Sequence, residues 1–125
     1  PEPHSAICVW ALADEDKAEA ERNFLPRAKS RLYRDRGIFL PMETPDDVLA
    51  TPFNAAEENR IQSMLRDAFV GEGPDVAAKI EALGKSLSVD EIAIVTWSHD
   101  EAVRRRSYSI LAECLGVKPA ADAAA

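Results

Sequence analysis

Residues 90–116, DEIAIVTWSHDEAVRRRSYSILAECLG, change character halfway along. Ile92, Ala93, Ile94 and Val95 are apolar at every position, the mark of a strand buried on both faces in a parallel sheet. The run stops at Thr96-Trp97-Ser98-His99. Val103, Ser107, Ile110, Leu111, Cys114 and Leu115 then recur at helical spacing, from an N-cap at Ser98 or Asp100 to a stop at Gly116. A strand that hands over directly to a helix is the repeating unit of an α/β protein.

Working upstream, residues 5–12 (SAICVWAL) form a second continuously apolar run and predict another doubly buried strand. Asp14 offers the N-cap of the next helix, with Glu15 and Asp16 in its first turn, and Pro26 should kink or split that helix. Residues 37–53 form a Pro-rich surface excursion in which Thr44-Pro45 has the form of an N-cap and first helical residue. Asn54 and Glu57 have capping-box spacing, and Ile61, Met64, Leu65, Ala68 and Phe69 make one apolar stripe ending at Gly71. Gly73-Pro74 opens a further helix with Val76, Ala77, Ile80, Leu83 and Leu87 on its face. Residues 117–125 should fray. The expected order is strand, helical excursion, strand, helix, and two such strands do not make a stable sheet alone.

The chain has 125 residues, a formal net charge of -7 and no apolar stretch approaching a membrane span. An acidic chain whose arginines are interleaved with carboxylates repels a phosphate backbone, so neither nucleic acid nor membrane is an expected partner, and the expected compartment is the cytoplasm. The chain opens at Pro1 without a Met, consistent with a processed or truncated end. Cys8 and Cys114 sit in separate apolar periodic segments, read as reduced core residues, and His4 and His99 lack neighbours at metal-ligand spacing. No metal is expected.

Residues 88–116 resemble the C-terminal strand and helix of luciferase-like flavin-dependent monooxygenases. The similar positions are Asp90, Glu91, Ile92, Thr96 and Asp100, then Arg104, Arg106, Ser107, Tyr108, Leu111, Ala112 and Glu113. Val70-Gly71 with Pro74, Val76, Ile80 and Leu83, and Pro3-His4 with Ala13-Asp14-Glu15, extend the resemblance upstream. It implies that residues 1–125 are the C-terminal portion of such a protein, supplying the last two strand-helix units of a (β/α)8 barrel. It further implies oxygen activation on a reduced flavin, flavin mononucleotide (FMN) or a related flavin or deazaflavin, with oxidation of an organic substrate and a flavin reductase as partner. Most of the flavin site would lie on earlier strands, so the segment should be inactive alone and hold no flavin tightly. Trp97-Ser98-His99 is not a fixed part of the family's phrase.

In a parallel barrel, functional groups gather at the C-terminal ends of strands. Thr96, Trp97 and His99 are therefore candidates for a cofactor or substrate pocket: an indole to stack on a flat ring, an imidazole to move a proton near neutral pH. The plainer reading makes Trp97 a cover for the core and His99 a solvated turn residue. Arg104, Arg105 and Arg106 are spread over about 200° of helix and cannot converge on one anion. Arg106 shares the stripe of Val103 and Ile110, which points to a partly buried ion pair with Asp90 or Glu91. Gly71-Glu72-Gly73-Pro74 fits no phosphate loop, since Glu72 puts a negative charge inside it. A second function class stays open: a small non-catalytic α/β protein that completes its sheet by self-association or strand exchange as a homo-oligomer.

Overall fold

The computed structural model describes residues 2–121. Three strands alternate with five helices: β1 (Ala6–Asp14), α1 (Lys17–Asp35), α2 (Pro45–Ala50), α3 (Ala55–Asp67), β2 (Phe69–Glu72), α4 (Gly73–Leu87), β3 (Glu91–Val95) and α5 (Glu101–Leu115). The sheet is parallel in the order β2-β1-β3, with Ala11 opposite Phe69 on one side and Trp10 opposite Val95 on the other.

That order places helices on both faces. The step from β1 to β2 and the step back across to β3 run in opposite directions, so right-handed crossovers put their helices on opposite sides. Successive β1 residues divide accordingly. Leu12, with Trp10 beside it, faces Phe24, Ala28 and Leu32 of α1 and Ile61 and Met64 of α3. Val9, Ala11 and Ala13 face Val76 and Ile80 of α4 and Leu111 of α5. Each fully buried aliphatic side chain in these layers contributes roughly 1.5–3 kcal/mol.

The α/β class and the parallel sheet agree with the sequence reading, whereas several local expectations need correction. A third strand exists: the stripe expected to run to Gly71 breaks after Asp67, and Phe69–Glu72 pairs with β1 instead. The chain by itself is not a barrel, which would carry its helices on one face only. Strand β3 is not buried on both faces, since Glu91 and Ala93 are exposed. Helix α1 runs unbroken through Pro26, and its N-cap is Asp16, whose carboxylate accepts from the amide of Ala18 at 3.0 Å. Cys8 and Cys114 are both exposed rather than in the core.

The caps at Thr44, at Asn54 with Glu57, and at Asp100 form where the sequence places them. The excursion after α1 holds the short α2, whose Val48 is buried. The end of the tail expected to fray, residues 122–125, lies outside the described residues, as does Pro1.

Candidate functional site

In open parallel sheets, ligand sites form outside the C-terminal strand ends, where the strand order reverses. Here that place lies between β1 and β3, bounded by Asp14 on one side and Thr96 and Trp97 on the other. Its floor is tightly tied. The Thr96 hydroxyl donates to the carbonyl of Ala11 at 2.6 Å, and the Thr96 amide donates to the hydroxyl of Tyr108 at 2.9 Å. The amide of Ala13 donates to the hydroxyl of Ser107 at 2.9 Å. Thr96 and Ser107 are essentially inaccessible, at 1% and 0% exposure. Thr96 therefore joins β3 to β1 and has no surface to offer a ligand.

Arg106 does form an ion pair, but with Asp14 at 3.1 Å and not with Asp90 or Glu91. Asp90 accepts instead from the amide and hydroxyl of Ser5, at 2.8 and 3.0 Å, and Glu91 pairs with His4 at 3.1 Å. The expected partners sit at the N-terminal end of β3, whereas α5 begins at the C-terminal end and runs alongside. Arg106 is also more exposed than its place on the stripe implies, while Asp14 is buried. The second carboxylate oxygen of Asp14 accepts from the amides of Glu15 and Asp16, so that buried charge is fully engaged.

Trp97 is different. It stays half exposed and forms one wall of a cleft of about 420 Å³ whose other wall is α1, with Arg27, Arg31 and Arg34 facing it. The Arg27 guanidinium lies 4.4 Å from the ring centroid of Trp10 and 5.1 Å from that of Trp97, within cation–π distance of both. Burial, and then the charges of Arg31 and Arg34, bring Arg27 down from its ordinary 12.5 to about 10, so it remains a cation at neutral pH. The three arginines escape a reading confined to the strand end, although their spacing on one helix, i, i+4 and i+7, is visible in the sequence. His99 is exposed on the turn and lines none of this cleft. Of the three expected pocket residues the structure brings only Trp97 to a cavity.

On the same face, beside the half of β1 that β2 leaves unpaired, a second cleft of about 350 Å³ is bounded by Cys8, Trp10, Arg31 and Arg60. Among the described residues, the buried Nε1 of Trp10 has no hydrogen-bond partner. Among the described residues no group of three or more His, Cys, Asp or Glu side chains is placed to hold a metal ion, and no helix is long and apolar enough to cross a membrane.

No protein-family model matches the chain. An uncharacterized protein of Bacillus subtilis (strain 168), YvbT, is 24% identical over 112 residues, which span 90% of this chain and 33% of that protein. The crystal structure of apo-MsnO8 matches with a TM-score of 0.78 at 24% identity, covering 96% of this chain and 37% of that one. The chain thus spans about a third of the length of these relatives, and the likeness in structure is one of fold. The assignment to the luciferase-like flavin-dependent monooxygenases is accordingly corrected, since no family match supports it: the chain is a small α/β unit with a three-stranded parallel sheet, similar in fold to part of apo-MsnO8.

Proposed function

We propose that this chain supplies part of a larger parallel α/β protein that carries out flavin-dependent oxidation of an organic substrate, and that it is inactive by itself. The observation that carries the reading is the half-exposed Trp97 at the C-terminal end of β3, facing a cationic cleft whose volume lies within the roughly 300–1,000 Å³ of small-molecule sites. A flat, anionic ring system fits such walls: Trp97 offers an aromatic face, and Arg27, Arg31 and Arg34 offer charge. FMN or a related flavin, held mainly by the rest of the larger protein, would supply the electrons for oxygen activation when bound. The chain's own part is to hold the organic substrate's ring against Trp97 and to neutralise its charge.

The sheet supports the reading from its edges. Among the described residues nothing pairs with the outer edge of β3 or with the side of β1 at residues 6–10 that faces away from β3. Further strands can add at both places. The barrel expected from the sequence would require α1 and α3 to leave the face of Trp10 and Leu12, whereas an open sheet flanked by helices requires no such movement and is the simpler continuation. The test is purification of the protein from its native host, with its absorbance recorded and FMN titrated into it. Copurified or titratable flavin supports the proposal; a colourless protein with no affinity for FMN overturns it.

One observation favours a second reading, in which copies of the chain complete one another's sheets. Ile92, Ile94, Leu111, Leu115 and Val117, with Tyr108, line an almost wholly apolar cleft of about 300 Å³ beside the free edge of β3. Light scattering on the 125-residue chain separates the two: a stable oligomer with no flavin affinity favours this reading, and a monomer excludes it.

A further inference from the structure

Arg27, Arg31 and Arg34 carry three positive charges into one cleft, and among the described residues no carboxylate lies within 4.0 Å of any of them. Asp35, in the wall of the same cleft, is 3.7 Å from Arg60 of α3 instead. Arg22, Arg36, Arg104, Arg105 and Arg106 all have acidic partners. In a chain of net charge -7, an uncompensated group of like charges on successive helical turns is an exception that needs a cause.

Desolvating such a cation without a counter-charge is unfavourable, and burial together with its two neighbours lowers the pKa of Arg27. A bound anion removes that cost. Guanidinium groups select carboxylate or phosphate through paired N–H donors. The rest of the cleft selects something else: the half-exposed Trp97 ring, Leu40 and Met42 present apolar surface suited to a flat ring.

We propose that this cleft binds a small aromatic anion, with its ring against Trp97 and its carboxylate or phosphate between Arg31 and Arg34. Arg27, held between two indoles, fixes the position of Trp97 and adds to the positive field. The inference deepens the oxidation reading by naming the class of its organic substrate. It rests on that reading for the oxidation of the bound molecule, not for its binding.

Trp10 and Trp97 are the two tryptophans of the chain and both flank Arg27, so intrinsic fluorescence reports the site directly. Phenyl phosphate and benzoate serve as the two kinds of aromatic anion, inorganic phosphate as charge alone, and benzyl alcohol as ring alone. The expected result is a saturable change with phenyl phosphate or benzoate at concentrations at least about tenfold below those needed for either control; the tighter of the two names the anion. Arg31 and Arg34 are exposed, so an Arg31→Gln/Arg34→Gln variant should fold with an unchanged melting temperature and bind at least about tenfold more weakly. Trp97→Leu should reduce phenyl phosphate to the affinity of inorganic phosphate. No saturable binding of either aromatic anion, or equal binding by the double-arginine variant, overturns the inference. None of these measurements contains flavin, so a colourless native protein and a failed aromatic-anion titration remain separate results.

Discussion

The backbone amide of Thr96 donates to the phenolic oxygen of Tyr108 at 2.9 Å, which fastens the chain just beyond β3 to α5. The next residue back, Ser107, accepts from the amide of Ala13, and Arg106 reaches Asp14. Three consecutive residues of α5 thus engage two strand ends, which they can do because a helix spreads them over about 200°. Replacing Tyr108 by Phe leaves the part-buried Thr96 amide without its partner. The expected loss is about 1–3 kcal/mol in urea unfolding. Faster hydrogen exchange at Thr96 should accompany it, and unchanged exchange would show that the bond does not hold the junction.

Ser107→Ala and Arg106→Gln are expected to differ in size. Ser107 is fully buried and satisfies a buried amide, so its loss should cost about 1–3 kcal/mol. Arg106 is nearly half exposed, and Asp14 keeps two backbone donors without it, so the cost should stay below about 1 kcal/mol. Chemical denaturation of the two variants side by side checks the order, and a costlier Arg106→Gln would contradict it.

Much of this architecture was legible in the sequence because it rests on local chemistry. Thr44, Asn54 with Glu57, and Asp100 cap their helices where side-chain oxygen meets free amide, and the continuous apolar runs mark the two longer strands. What was not legible depends on contacts across the fold. Phe69–Glu72 is too short to show its own period, and only pairing with Ala11–Asp14 makes it a strand. Arg106 has carboxylates nearer in sequence to β3 than Asp14, yet the direction of α5 decides which one it meets. Thr96 and His99 were read as rim residues from position alone; the first turns inward to Ala11 and the second faces solvent. Cys8 shows the same limit, since its strand is apolar throughout while β2 does not extend far enough to pair beside it.

Acid should weaken the fold in a defined window. The capping-box bond from the Asn54 amide, aided by Arg36, holds Glu57 below its ordinary 4.5, and the amide and hydroxyl of Ser5 hold Asp90 below its ordinary 3.8. A carboxylate with a depressed folded pKa contributes stability that is complete above its unfolded value and disappears as pH falls through the folded one. Urea unfolding of the wild type and of a Glu57→Ala/Asp90→Ala variant should therefore differ at neutral pH and converge in acid below those ordinary values. Curves that stay parallel throughout would mean that neither group is coupled to folding.

Gly73, the first residue of α4, packs directly against α5. A methyl group there would overlap Cγ2 of Ile110 and lie 3.0 Å from Sγ of Cys114. Cγ2 is fixed on a β-branched carbon and cannot swing away, so Gly73→Ala should separate the two helices at a cost of about 1–3 kcal/mol. At Gly84 the intruding atom is Cδ1 of Ile92, at 2.9 Å, the free end of a flexible side chain. Once that end rotates, the gain of about 0.5–1 kcal/mol for Ala over Gly inside a helix can dominate, and Gly84→Ala should be neutral or slightly stabilising. A double-mutant cycle between Gly73→Ala and Ile110→Ala isolates the contact. The pair should be less destabilised than the sum of the single changes, because removing Cγ2 opens the space that the new methyl group needs; strict additivity would place the strain elsewhere.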